Sequence, residues 1–436
     1  MKILISAASQ IKNYSKKSVN FTILEKTFRS SSLALDQLAA ITPRRHKVEI
    51  IDENRYDLID VNKKYDLVAI SFITQNALRA YEIADKFRNK GITVVVGGYH
   101  PSSLPDEAKQ HADSVVIGEA ELSWPKLLND FEKGKMKPFY RQDEFVDPKI
   151  IPPARRDLVK GILLGGEVQA SRGCPYKCDF CSIQNVEGTK HRKRPIEDVV
   201  EEIKKMKSSF FFFADPSLTI DTKYTKDLFR ELKGLNKHFN CDGNVNALSN
   251  DEELIKLSKE AGCCSWWIGF ESICKDSLKS VGKKNKIENY ARAIKKIRKH
   301  GVGVRGMFIF GFDYDTPDIF NETQKAINKW QLDMAAFFIL TPFPGTPIFK
   351  RFENEGRILT YDWSKYTPWN VVFKPKNMTI KELYFGTRNI AKNFFSLSNN
   401  FRRMMDSRGF FYRSFINKTI LNFFADKYEF KEDLNF

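Results

Sequence analysis

The sequence predicts an α/β protein: a doubly wound parallel-sheet domain, a partial (β/α)6 barrel, and a mostly helical C-terminal extension. Three observations carry this reading. Short apolar runs alternate with helical stretches from Met1 to Lys133, strand and helix then alternate six more times from Glu167 onward, and a C-x3-C-x2-C pattern directly follows the first strand of that second series. The expected boundaries are 1–133, a connector over 134–164, the barrel over 165–347 and the extension over 348–436. At 436 residues the chain is long enough for two or three cores, and 42% hydrophobic with 13% aromatic residues is a globular composition.

In the first domain the expected strands are Lys2 to Ser6, Lys47 to Ile51, Leu67 to Phe72, Thr93 to Val96 and Ser114 to Ile117. Helices are expected at Ser31 to Ile41, Ala77 to Asn89 and Glu121 to Phe131. In such sheets ligands bind at the carboxyl ends of strands near the topological switch point, so Ser71-Phe72-Ile73-Thr74-Gln75-Asn76 and Gly97-Gly98-Tyr99-His100-Pro101 are the informative loops. Gly118-Glu119-Ala120-Glu121 closes the last strand. Residues 134–164 carry Pro138, Pro148, Pro152 and Pro153 with weak periodicity and read as a connector. The barrel strands are expected at Glu167 to Ser171, Ser209 to Ala214, Gly243 to Ala247, Ser265 to Phe270, Gly303 to Phe310 and Met334 to Leu340. Phe210 to Phe213, a continuous aromatic run, suits a strand covered on both faces.

The formal net charge of +17 favours an anionic contact (nucleic acid, lipid or small molecule) or solvated helix faces such as Lys204, Lys205 and Lys207. All seven cysteines follow the first third of the chain without an evenly paired framework, which indicates a reducing compartment. Met1 to Ser6 is too short for a signal sequence, and no stretch reaches the ~18 uninterrupted apolar residues of a spanning helix. The expected location is cytoplasmic, in solution or at a membrane surface.

Cys174, Cys178 and Cys181 are close enough for three soft thiolates to converge on one cluster, leaving a fourth iron without a protein ligand. Gly173 and Pro175 shape the loop. A zinc site completed by His191 uses the same residues. The loop, with an aromatic just before the third cysteine, resembles the signature of the radical S-adenosylmethionine (SAM) enzymes. The resemblance implies that Cys174, Cys178 and Cys181 hold a [4Fe-4S] cluster, that SAM chelates the open iron, and that its reductive cleavage yields a 5′-deoxyadenosyl radical acting on an unactivated carbon. It also implies an external one-electron donor such as flavodoxin or ferredoxin. Phe180 would stack near SAM, and Glu271 with Ser272, in Gly269-Phe270-Glu271-Ser272, would contact its ribose. By the same resemblance Asp215, where relatives show paired acids, would help order SAM, and Asn244 would meet SAM through its amide, while Arg305 suits either a carboxylate ligand or a neighbouring side chain. No residue is assigned a catalytic acid or base role.

The two N-terminal loops resemble the cobalamin-binding, Rossmann-like domain that often precedes a radical SAM barrel. By that likeness Ser71, Thr74, Gln75, Gly97, Gly98 and His100 would meet cobalamin. The aspartate-x-histidine-x-x-glycine motif is absent after Ser6 to Gln10, so the lower imidazole ligand would be missing. Thr341-Pro342-Phe343-Pro344-Gly345-Thr346-Pro347 is similar to the segment after the sixth strand in cobalamin-type relatives, and the stretch from Thr360 to Thr379 to extensions of enzymes that modify polycyclic lipids such as hopanoids. Ala391 to Phe424 interleaves phenylalanines with basic residues, which suits either a lipid surface or a helical lid. The leading expectation is cobalamin-dependent methylation or a related C–H transformation of a lipid or other small molecule. The competing ones are a SAM-only radical enzyme with a vestigial cobalamin domain, an RNA methylthiotransferase and a non-catalytic zinc protein; no cysteine precedes Cys174 to bind the second cluster of the methylthiotransferases, and a nucleic-acid partner is not expected.

Overall fold

A computed structural model describes residues 1–9, 32–55, 57–142, 144–159 and 165–406. The first sheet contains β1 (Lys2–Ala7), β2 (Lys47–Asp52), β3 (Leu67–Ser71), β4 (Thr93–Gly97), β5 (Ser114–Ile117) and β6 (Phe139–Arg141), in the order β2-β1-β3-β4-β5-β6. All neighbours are parallel, and the order reverses between β1 and β3. Ile3, Leu4, Ile5, Leu67 and Val68 are wholly buried, as continuous apolar runs require when helices cover both faces of a sheet. One such helix, Ala77–Arg88, buries Ala80, Tyr81, Ala84 and Phe87 at helical spacing. The stretch expected to be connector, 134–164, contains the sixth strand: Phe139–Arg141 is too short to show a periodicity, yet it adds an edge to the sheet.

The second sheet contains β7 (Glu167–Val168), β10 (Phe210–Phe213), β11 (His238–Gly243), β12 (Cys263–Glu271), β13 (Gly303–Phe310) and β14 (Met334–Ile339), in the order β14-β13-β12-β11-β10-β7. A separate antiparallel pair, β8 (Ser171–Arg172) with β9 (Arg192–Lys193), interrupts the first strand expected for the barrel. The third strand lies earlier than expected, at His238 to Gly243. Asn244 caps the helix Val245–Asn250 by accepting from the Asn246 N–H, and so ends the strand. The aromatic run is not uniformly buried: Phe211 and Phe213 are fully covered while Phe210 and Phe212 are partly exposed.

Contacts group the chain into two units that differ from the expected boundaries. Among the described residues, one contains those within 1–216, 231–239 and 342–367, and the other those within 217–230, 240–341 and 368–406. In the first, Trp363 from the late segment donates to Glu107, whose carboxylate also engages Tyr81 and His100. In the second, the helix Tyr290–Lys299 buries Tyr290, Ala293, Ile294 and Ile297 and carries Lys296, Arg298 and Lys299 in its last turn, so part of the chain's basic excess is a helix face complementing its own dipole. The helix Ile380–Phe394 starts at a Thr379–Glu382 capping box, and its Phe394 is buried with an edge contact to Phe337 of β14. That favours packing over lipid contact for this phenylalanine. Phe410, Phe411, Phe415, Phe424, Arg408, Arg413 and Lys418 lie outside the described residues. Among the described residues no helix is long and apolar enough to cross a membrane.

Candidate active site

The cysteine loop is the excursion between β8 and β9. Gly173 has φ +76°, and a Cβ there would lie 3.0 Å from the Lys190 carbonyl carbon and 3.1 Å from the Glu187 carbonyl oxygen, so the returning chain leaves no room for a side chain. Within the loop the Cys174 N–H donates to Gly188 O and the Cys181 N–H to Cys178 O. Cys178 is buried and Cys174 and Cys181 are half-buried. Among the described residues no three His, Cys, Asp or Glu side chains are gathered around a single metal-ion position. The donor chemistry fits an iron–sulfur cluster: three thiols on one short loop supply soft sulfur at three points and leave one corner open. Such a cluster, when bound, supplies an electron to its fourth ligand.

Asp215, expected to order SAM, instead serves the backbone. It is 3% exposed and accepts from the N–H groups of Ala170 and Ser171 and from Ser171 Oγ. Burial pushes its pKa up to about 7 against the lowering effect of those bonds. Its role is to hold the strand that delivers Arg172 and Gly173 to the first cysteine. Phe180 remains on the cysteine loop, partly exposed.

The neck of the loop contains a charge network that sequence reading did not identify. Arg172 reaches Glu119 at 3.2 Å and Glu121 at 2.7 Å, and Arg192, opposite Arg172 in the β8–β9 pair, reaches Glu119 at 2.8 Å. The Val146 N–H also donates to Glu119. Glu187, whose pKa is raised by burial, accepts from the Gly173 N–H and from Gln169. The available signal was the pair of acids in Gly118-Glu119-Ala120-Glu121 beside two arginines flanking the cysteine loop.

Small residues line the carboxyl edge of the first sheet: Ser71 ends β3, Gly97 ends β4, Gly98 follows it and Gly118 follows β5. This edge fits a broad planar cofactor, because a Cβ on Gly97 would make only ordinary contact with Val116 and one on Gly118 would meet only Val186 O, at 4.0 Å. Cobalamin, when bound, supplies a cobalt that can carry a methyl group. Gly98 has a structural reason of its own: its φ is +102°, and a Cβ would lie 2.8 Å from Phe72 O. Thr74 is buried in the loop after β3, with half-buried Gln75 beside it. His100 does not face the edge. It is fully buried, with Nε2 3.1 Å from both Tyr81 Oη and Glu107, and it positions the loop.

In the second unit Glu271 ends β12 at a register shift against β13 and has φ +63°, an uncommon and strained conformation for a glutamate. Asn285 Nδ2 donates to Gly269 O and Phe270 O, while Tyr290 Oη donates to Phe270 O and Ser272 O. These bonds hold the strand end, and Lys283 Nζ lies 2.7 Å from Glu271 Oε1. Ser272 is buried, and its Oγ accepts from the Cys274 N–H. Asn244 Nδ2 is 3.5 Å from Asn285 Oδ1, so it supports the residue that clamps Glu271's strand. Arg305 stacks on Trp267, 4.1 Å from its ring centre.

Comparison with known proteins places this geometry in a family. Residues 168–327 match the radical SAM superfamily and residues 22–128 the B12 binding domain. The chain is 32% identical over 382 residues to bacteriochlorophyllide d C-12(1)-methyltransferase of Chlorobaculum tepidum, covering 84% of this chain and 82% of that protein. It is 25% identical to hopanoid C-2 methylase of Rhodopseudomonas palustris, over 75% of this chain and 63% of that one. The solved structure of the radical SAM methyltransferase TsrM from Kitasatospora setae, with cobalamin and a [4Fe-4S] cluster bound, superposes with a TM-score of 0.71 at 16% identity, covering 92% of this chain and 90% of that one. The chain belongs to the radical SAM enzymes that carry a B12-binding domain. It is a radical SAM enzyme whose cofactors are a [4Fe-4S] cluster, SAM and cobalamin, and it requires a substrate and an external electron donor.

Proposed function

We propose that the protein methylates an unactivated carbon of an apolar, ring-containing small molecule, using SAM both as methyl source and as radical precursor. The observation that carries this is the occurrence, in one compact unit, of the three-cysteine loop and the small-residue sheet edge. Cys174, Cys178 and Cys181 would hold the cluster; Ser71, Thr74, Gln75, Gly97 and Gly98 would border the corrinoid; Glu271, backed by Ser272 and Asn244, would take the SAM ribose; and Phe180 would lie against SAM. The relatives named for bacteriochlorophyllide and hopanoid substrates support a polycyclic acceptor. On β12 and β13 the partly exposed Trp267, Met307 and Ile309 offer apolar surface beside Arg305. Contact with a membrane surface at the cell's cytoplasmic side would accompany a lipid acceptor.

The test is anaerobic incubation of the cofactor-loaded protein with SAM, a reductant and candidate tetrapyrrole or triterpenoid acceptors. Methylation produces one S-adenosylhomocysteine and one 5′-deoxyadenosine per methyl transferred. Formation of 5′-deoxyadenosine and altered acceptor without S-adenosylhomocysteine would replace methylation with another C–H transformation.

A further inference from the structure

A path of hydrogen bonds and one peptide link runs from the glycine turn after β4 to the neck of the cysteine loop. Ser102 Oγ donates to Gly98 O at 2.7 Å and accepts from the Gly118 N–H at 2.9 Å. The next residue, Glu119, is 6% exposed and grips Arg172 and Arg192, the two residues facing each other across the loop's base. A single carboxylate thus joins the outgoing and returning strands of the loop. Its own backbone is anchored at the edge where small residues leave space for the corrinoid. A buried carboxylate held by two guanidiniums cannot move without leaving charges uncompensated, so displacement at one end of the path is resisted at the other.

We propose that Glu119 is a positioning residue that couples the corrinoid edge to the cluster loop, so that occupancy of one cofactor site stabilises the other. The inference rests on the cobalamin-dependent reading. If cobalamin favours the arrangement in which Gly98, Ser102 and Gly118 are bonded, it must favour the closed neck by the same free energy, and cluster binding must favour corrinoid binding reciprocally. Ser102 is the inexpensive link in this path, because removing its hydroxyl leaves the ion pairs intact.

The intact chain, reconstituted anaerobically with iron and sulfide, is challenged with a ferrous chelator with and without bound hydroxocobalamin, and the rate of iron release is followed. Bound cobalamin is expected to slow release by about tenfold in the parent protein, within the usual range of coupling between sites. Glu119→Gln should bring that ratio close to one while iron and corrinoid each still bind. Ser102→Ala should lower it while the fold and the Glu119 ion pairs persist, and it answers the question if Glu119→Gln fails to fold. A parent that binds corrinoid normally with a ratio of one, or a ratio unchanged in both variants, would overturn the coupling alone. A parent that binds no corrinoid would overturn the cobalamin-dependent reading together with the coupling.

Discussion

The neck of the cysteine loop and the end of β12 each present carboxylates held by cations, and they are built on opposite plans. Glu119 is enclosed and bonded by two arginines and a backbone N–H, with φ/ψ strain absent. Glu271 sits on a strained backbone at a register shift, clamped through its neighbours' carbonyls by Asn285 and Tyr290, with Lys283 on its carboxylate. A saturated group positions its surroundings. A strained group whose backbone is fixed and whose carboxylate is paired with a lysine can exchange that lysine for a ligand.

The largest expected effect tests the loop that the first plan supports. Cys178→Ala removes one of three sulfurs and should lose both cluster iron and 5′-deoxyadenosine formation, read by iron and sulfide analysis and by product chromatography. Retention of a full cluster would separate the loop from the chemistry. Next, Glu271→Gln should weaken SAM binding about tenfold to a hundredfold, the equivalent of one charged hydrogen bond, with cluster content unchanged in calorimetry and iron assays. Normal SAM affinity in that variant would make Glu271 a structural end to its strand.

A smaller effect distinguishes two adjacent glycines. Gly98→Ala should lower stability by about 1–3 kcal/mol in denaturant unfolding even without cobalamin, because its φ and its approach to Phe72 O both exclude a side chain. Gly97→Leu should fold but lose corrinoid, since a Cβ there meets only ordinary contacts. Equal corrinoid binding by Gly97→Leu and the parent would move the cofactor off this edge.

A further effect is a pH slope. With its folded pKa raised to about 7, Asp215 retains a proton that the unfolded chain, near pKa 4, has released. Its contribution therefore falls as pH rises from about 4 to 7, and below that window it is constant. Asp215→Asn should flatten stability against pH across the window, as measured by urea unfolding at several pH values; an unchanged slope would mean that another group titrates there.

These contrasts also show what the sequence could carry. The buried strands are legible because Leu67 to Ile70 and Val115 to Ile117 are unbroken apolar runs, and the cysteine loop because its spacing is chemically restrictive. β11 departs from the expected position although His238, Asn240 and Asp242 alternate with buried Phe239 and Cys241 at the strand period, because the run contains no β-branched residue, and β6 because three residues are too few to show a period. Asp215 was assigned to SAM by position, although its oxygens are committed to backbone N–H groups, and His100 was placed at the cofactor edge although its ring turns inward toward Glu107. The Glu119 network escaped because its partners are distant in sequence: Glu119 and Arg192 are 73 positions apart.

The bond from Trp363 to Glu107 spans 256 positions and lies inside the first unit. The N-terminal sheet therefore has to wait during synthesis. Its strands emerge from the ribosome first, but the indole that covers His100 and engages Glu107 follows only after the whole run 240–341 has been made. Until then Tyr81, His100 and Glu107, on the helices beside the sheet, lack their indole partner, so this buried polar cluster is completed by one of the chain's later segments.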